Sequence, residues 1–162
     1  MIADLKQIKA GDLNVSYFET GPIDGVPVIL LHGFPYDIYA YLEVVPVLSN
    51  ARCRVIVPYL RGYGKTSFLA KKTLRSGQQA ALGYDLLNLM NSIKIDKAIL
   101  AGYDWGGRAA CVVAARHPAR CRGLLSCHGY EIQDITNSSK PSNPNIEHRL
   151  WYQYFFHSER GR

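Results

Sequence analysis

The segment KAILAGYDWGGR, residues 97–108, constrains the fold more than any other part of this 162-residue chain. An apolar run typical of a buried strand stops at a Gly-x-Asp-x-Gly turn, and small residues then continue as a helix. Gly102 and Gly106 would let the strand and helix backbones approach each other, and Gly107 would let the helix lie close to a sheet. The pattern therefore predicts a sharp strand-to-helix elbow with Asp104 at its apex.

A carboxylate at such an apex suits one kind of chemistry. Attack by Asp104 on a carbonyl would give a labile anhydride, whereas attack on a saturated electrophilic carbon gives an alkyl ester that water can later cleave. Epoxides and alkyl halides contain such carbons. The residues leave one alternative open, an ordinary turn in which Asp104 is a helix N-cap.

A second motif precedes the elbow. Residues 28–31 form a short apolar run typical of a buried strand, and His32-Gly33-Phe34-Pro35 follows, where glycine and proline force a turn. The stretch between the two motifs has room for two strand–helix units at ordinary loop lengths. The turn is therefore placed after an earlier strand of the same sheet.

The rest of the chain alternates between strand and helix patterns. Residues 13–19 alternate like an antiparallel edge strand, residues 54–57 are typical of a buried strand, and residues 78–93 have helical apolar spacing. Pro118 predicts the end of the helix after the elbow, and residues 123–127 predict another strand. This alternation predicts an α/β fold with a mostly parallel sheet and flanking helices.

Three motifs together resemble those of one family. HGFP at residues 32–35, RGYG at residues 61–64 and GYDWGG at residues 102–107 have the order and spacing found in α/β-hydrolases of the epoxide hydrolase and haloalkane dehalogenase branch. The resemblance covers nearly the whole chain and matches the amino-terminal part of that fold. Phe34 is more typical of epoxide hydrolases, because dehalogenases often carry Asn there. Tyr59 departs from the pattern, since the family usually has Asp before Arg-Gly-x-Gly, and we expect this to alter loop packing only.

The resemblance implies roles for the residues of two motifs. Asp104 would be the nucleophile, and the backbone N–H groups of Phe34 and Trp105 would hold the anion formed during the reaction. His32 and Gly33 belong to the same oxyanion and substrate-binding loop. We interpret His32 as a loop histidine bonded to backbone, because in this fold the catalytic base follows the nucleophile in the chain.

The composition changes after the predicted core, which covers residues 1–129. Residues 130–162 are predicted to be a linker and the beginning of a helical cap, with an aperiodic Ser, Asn and Pro run at residues 137–144. Residues 152–156, YQYFF, resemble the first lid helix of epoxide hydrolases. This implies that Tyr152 donates a hydrogen bond to the epoxide oxygen as a catalytic acid. An aromatic core stripe is the alternative.

The family also needs a general-base histidine and an acid that orients it. His128 and Glu131 follow the nucleophile, but the sequence assigns neither of them these roles. The fold with its lid ordinarily needs roughly twice this length, so we expect the last strands to be missing. Residues 123–127 would then be an exposed sheet edge prone to self-association, and an ester on Asp104 would accumulate without turnover.

Charge and spacing argue against other classes of function. The net charge is +6, but Lys and Arg are scattered, so no nucleic-acid partner is predicted. Tyr59 stands where a Walker A motif needs Gly, and no dinucleotide fingerprint or metal-ligand spacing is present, so neither a cofactor nor a metal is predicted. The chain has no signal-peptide core and no apolar run that could span a bilayer, which predicts a cytoplasmic protein.

Two functional classes remain after these exclusions. The first is an epoxide hydrolase-like enzyme acting on a small alkylating electrophile, with a haloalkane dehalogenase-like enzyme as its alternative. The second is a noncatalytic relative, either a binding protein or a decayed enzyme. Halide release measured beside diol formation would separate the two enzymes.

Overall fold

A seven-stranded sheet forms the centre of the larger part of the chain. The computed structural model describes residues 4–128 and 140–161, and the chain divides into two units, Met1–Glu131 and Ile132–Arg162. The strands are β1 (Lys6–Ala10), β2 (Leu13–Thr20), β3 (Val26–Leu31), β4 (Cys53–Pro58), β5 (Ser67–Phe68), β6 (Ala98–Tyr103) and β7 (Cys121–Cys127).

The strand order is β1-β2-β4-β3-β6-β7, with β5 paired to β2. Strands β4, β3, β6 and β7 run parallel to one another, whereas β1, β2 and β5 join the sheet by antiparallel pairing. The predicted α/β class with a mostly parallel sheet is confirmed. Within the described residues, no helix is long and apolar enough to cross a membrane.

Helices cover both faces of the sheet. They are α1 (Val44–Asn50), α2 (Gln79–Ser92) and α3 (Trp105–Arg116). Successive side chains of a strand point to opposite faces. Val28 and Leu30 accordingly pack in the cluster that contains Val45 of α1, and Ile29 and Leu31 pack with α2 and α3. Two buried faces explain why β3 reads as a continuous apolar run instead of an alternating one.

The expectation that residues 13–19 form an edge strand is wrong. Strand β2 is antiparallel, but β1 pairs along its outer side, from Lys6 opposite Tyr17 to Ala10 opposite Leu13. The sequence KQIKA of β1 contains little apolar pattern, so it gave no strand signal. The lysines of β1 suit an outer strand, because charge on an edge discourages pairing with another chain.

The second unit contains two short helices, α4 (Pro144–Arg149) and α5 (Trp151–His157). Asn143 caps α4, its side chain accepting the N–H of Asn145 at 3.0 Å. Of the predicted linker run at residues 137–144, residues 137–139 lie outside the described residues. The aromatic core stripe is not formed, because the aromatic side chains of α5 are exposed: Trp151, Tyr152, Tyr154, Phe155 and Phe156.

Strand β7 is the outer strand on the other side of the sheet. Among the described strands it pairs only with β6. Leu124 and Leu125, which point to opposite faces, are both exposed. The row of backbone donors and acceptors on the outer side of β7 resembles the edges through which sheets associate.

We propose that this edge pairs with a second copy of the chain. Leu125→Lys places a charge on this exposed edge strand, where charge discourages pairing with another chain. It should weaken a concentration-dependent dimer at least about tenfold, or about 1.4 kcal/mol. Tyr84→Lys, an equally exposed position on α2, should leave it unchanged. Sedimentation velocity over a range of concentrations measures both, and a wild-type chain that stays monomeric throughout would refute the proposal.

Candidate active site

The register of the parallel strands brings two motifs together at the carboxyl edge of the sheet. Leu31 at the end of β3 pairs with Gly102 of β6. The HGFP loop, residues 32–35, therefore leaves the sheet beside Tyr103 and Asp104. Parallel strands place their carboxyl ends at one edge, which is where ligands bind in open α/β sheets.

The elbow is built with a single residue between strand and helix. Strand β6 ends at Tyr103, α3 begins at Trp105, and Asp104 between them has φ 49° and ψ −121°. A positive φ is unfavourable for a residue with a side chain, and such strain concentrates at functional sites. Asp104 occupies the N-cap position of α3, but its side chain makes no capping hydrogen bond to the helix.

A backbone donor contacts the half-buried Asp104 carboxylate. The N–H of Phe34 donates to Asp104 Oδ1 at 2.8 Å. The first backbone hydrogen bond of α3 runs from Arg108 N to Asp104 O at 3.1 Å. Trp105 is the first residue of α3, so its N–H lies before this bond. The first N–H groups of a helix have no acceptor within the helix. Both donors assigned from the sequence therefore belong to segments that adjoin the carboxylate.

Two close backbone approaches hold this geometry. A Cβ on Gly33 would lie 2.5 Å from Asp104 Cβ and 2.8 Å from its Oδ1. A Cβ on Gly102 would lie 2.5 Å from the carbonyl carbon of Gly106, where α3 crosses the end of β6. Real Cβ atoms do not approach so closely. Any side chain at Gly33 would therefore push the HGFP loop away from Asp104.

Gly33→Ala should destabilise the protein by about 1–3 kcal/mol, the usual cost of overpacking. Gly77→Ala is the matched control, because a Cβ there meets nothing within 4 Å and its φ is not positive, so we expect a change within about 0.5 kcal/mol. Urea unfolding measures both variants. Equal stabilities would mean that the Gly33 contact does not constrain the loop.

His32 ties the HGFP loop to the loop after β4. Its side chain is fully buried, Nε2 accepts the N–H of Leu60 at 3.1 Å, and Nδ1 lies 3.2 Å from the carbonyl oxygen of Gly33. Because Nε2 accepts, Nδ1 carries the proton and donates it to that carbonyl. The Tyr63 ring packs edge-on at 4.6 Å between centroids. His32 is therefore bonded to backbone, as expected from the sequence, and links the HGFP loop to the loop after β4.

Acid should weaken this contact. Burial lowers the pKa of His32, so the folded state favours the neutral ring that accepts from Leu60. Stability from this preference is fully present above the unfolded value of about 6.5 and is lost as the pH falls below it, with a slope of up to about 1.4 kcal/mol per pH unit. Urea unfolding measures the free energy of unfolding of the wild type and of His32→Gln across this pH range. The pH dependence of the wild type should correspond to the uptake of up to one more proton on unfolding than that of His32→Gln. Parallel curves would show that His32 does not titrate with unfolding.

The RGYG loop, residues 61–64, is fixed by an ion pair. Arg61 donates to both oxygens of Asp85 on α2, at 2.6 and 2.7 Å, and to the carbonyl oxygen of Ser76 at 2.7 Å. Tyr59, which stands where the family usually has Asp, is buried and packs with the cluster under α1. The expected difference in loop packing is therefore an aromatic ring inserted into the core.

Three residues near Asp104, which are Tyr63, Tyr103 and Arg108, were not singled out from the sequence. Tyr63 belongs to the RGYG motif, and the other two belong to the elbow segment, residues 97–108. Burial raises the pKa of Tyr63 and of Tyr103, and the Asp104 charge adds to both increases. Both phenols therefore remain protonated donors at neutral pH. Arg108 is buried in α3, and its guanidinium lies 4.2 Å from the centre of the Trp105 ring. This stacking orients the residue that follows the proposed nucleophile.

Three candidates from the sequence remain. Tyr152 is an exposed residue of α5 in the second unit, with its ring 6.2 Å from that of Phe156. His128 directly follows β7 and has φ 47°, and Glu131 lies outside the described residues. Within residues 4–128 and 140–161, no cluster of three or more His, Cys, Asp or Glu side chains could hold a metal ion.

Comparison with known proteins identifies the family. The α/β-hydrolase fold family matches residues 26–161. The chain belongs to this family. Epoxide hydrolase B of Mycobacterium tuberculosis is 30% identical over 156 residues, covering 88% of this chain and 42% of that protein. A haloalkane dehalogenase of Psychrobacter cryohalolentis is 33% identical over 109 residues, covering 67% of this chain and 35% of that protein.

A solved structure agrees closely with this α/β-hydrolase. The crystal structure of a protein from Klebsiella pneumoniae, described as a "putative epoxide hydrolase", has a TM-score of 0.94 and 50% identity, and covers 97% of this chain and 52% of that one. The chain therefore spans about half the length of the relatives it matches. The resemblance to the epoxide hydrolase and haloalkane dehalogenase branch is confirmed.

Proposed function

We propose that this chain captures an epoxide as a covalent ester on Asp104, the first half of epoxide hydrolysis. The observation that carries the proposal is the Asp104 carboxylate at a positive-φ apex, with Oδ1 held by the N–H of Phe34. Relatives named epoxide hydrolase support the same reaction class. The substrate would be a small electrophile, and the proposal requires no cofactor.

We propose different tasks for the two carboxylate oxygens, because the N–H of Phe34 donates to Oδ1. Oδ2 attacks an epoxide carbon, the ring C–O bond breaks, and its electron pair goes to the ring oxygen. That oxygen takes a proton and becomes a hydroxyl group, so the product is a hydroxyalkyl ester that contains every atom of the epoxide. We propose Tyr152 as the proton donor, by its resemblance to a lid tyrosine.

Cleavage of the ester would use the same backbone donors. Water attacks the ester carbonyl carbon, and negative charge develops on Oδ1, where the N–H of Phe34 already points. The N–H of Trp105 would be the second donor of this oxyanion hole. Activation of water needs a general base, and the sequence assigns none. We therefore propose that the ester accumulates on this chain.

The alternative is attack on an alkyl halide. The Psychrobacter relative is named a haloalkane dehalogenase, and the same Oδ2 attack would displace halide instead of opening a ring. The alkyl ester would then lack the halogen, whereas the epoxide adduct keeps every atom of the epoxide. The mass of the adduct and the amount of free halide, measured on one sample, therefore distinguish epoxide opening from halide displacement.

Incubation with an excess of a terminal epoxide should add the mass of one epoxide molecule at Asp104. Asp104→Asn should reduce this ester at least about 100-fold, because a neutral amide replaces the anionic nucleophile. The control is Asp24→Asn, on an exposed turn. Intact-mass spectrometry followed by peptide mapping measures all three proteins.

The four free cysteines can also react with epoxides, so the site of attachment must be established. Hydroxylamine should release an ester on Asp104 and leave a thioether in place. An adduct found only on cysteine, or ester formation that survives in Asp104→Asn, would refute the proposal. A chain that binds small molecules without reacting would be the noncatalytic relative.

A further inference from the structure

Three of the four exposed aromatic side chains described in the first unit lie on one loop. Phe34, Tyr36 and Tyr39 are 45%, 65% and 48% exposed and follow β3 directly. The fourth, Tyr84 on α2, is 64% exposed. We name the first three the aromatic rim.

The aromatic rim lies beside the proposed nucleophile. The N–H of Phe34 bonds to Asp104 Oδ1 at 2.8 Å, so the first rim residue is next to the carboxylate. Tyr36 is close enough to Tyr103, the residue before Asp104, to contribute to its raised pKa. The rim and the elbow therefore share one end of the sheet.

Other residues hold this loop in place. Ile38 is fully buried, the Tyr41 hydroxyl donates to the carbonyl oxygen of Leu31 at 2.8 Å, and Asp37 accepts the N–H of Tyr39 at 2.9 Å. These contacts fix the backbone without using the side chains of Tyr36 or Tyr39. Apolar surface clustered in water beside a reactive group is typical of a ligand-binding surface.

The charged residues of the loop restrict the kind of substrate that it could bind. Residues 32–43 contain no Lys or Arg, so the loop offers no cationic side chain to an anionic substrate. Its acidic side chains are Asp37, which caps the turn beginning at Ile38, and Glu43. Phenyl and phenol rings instead favour a neutral aromatic ring, which they contact edge-on or in offset stacks.

We propose that the aromatic rim binds the aryl group of a neutral aryl epoxide while Asp104 attacks its ring. The covalent part rests on the proposed function. Recognition of the aryl group rests on the rim alone and is tested separately.

The first test compares the rates of adduct formation with styrene oxide and with 1,2-epoxypropane. Each rate is divided by the rate of that epoxide with acetate in solution, which removes intrinsic reactivity. The wild type should prefer styrene oxide at least tenfold. Tyr36→Ala should lower this preference about three- to tenfold, the size of one aromatic contact, and Tyr84→Ala should leave it unchanged. Equal corrected rates in the wild type would overturn aryl selectivity.

The second test measures binding without the reaction. Saturation-transfer NMR compares 1-phenyl-1,2-ethanediol with propane-1,2-diol on Asp104→Asn and on the same protein carrying Tyr36→Ala. A phenyl diol that binds and is weakened by Tyr36→Ala supports the rim, even if no epoxide reacts, in which case only the proposed function fails. A phenyl diol that binds no better than the alkyl diol overturns the rim.

Discussion

The site depends on one close approach, between the backbone of Gly33 and the side chain of Asp104. A Cβ on Gly33 would lie 2.5 Å from Asp104 Cβ, so only glycine lets the HGFP loop reach the elbow. This approach allows the N–H of Phe34 to meet Asp104 Oδ1 at 2.8 Å. The steric constraint at Gly33 therefore fixes which carboxylate oxygen of Asp104 meets the Phe34 N–H.

Buried and half-buried polar contacts behind the site hold its loops in place. His32 is bonded to the backbone of Gly33 and Leu60, and Arg61 is paired with Asp85 on α2. Groups of this kind are costly to bury unless they are fully hydrogen-bonded. Such contacts can compensate for the unfavourable backbone of Asp104, which costs about 1–3 kcal/mol. A well-packed core thus supports a strained turn at Asp104.

The sequence located the elbow and its loop but not their surroundings. Asp104, Gly33 and Phe34 were found because glycine and proline mark sharp turns after apolar runs. Strand β1 was missed because KQIKA has little apolar periodicity and is held by pairing with β2. Tyr63 and Arg108 were missed because their roles arise from contact with His32 and Trp105, which local pattern cannot reveal.

The sequence by itself determined the α/β class, the parallel sheet and the identity of the residue at the elbow, because these follow from periodicity and from turn chemistry within a few neighbouring residues. Only the tertiary structure decided which atoms meet at the site. The pairing of Leu31 with Gly102 places Phe34 against a residue far away in the chain. It also places the aromatic rim at the same end of the sheet. Strand register is cooperative over the whole sheet, so no single motif encodes that juxtaposition.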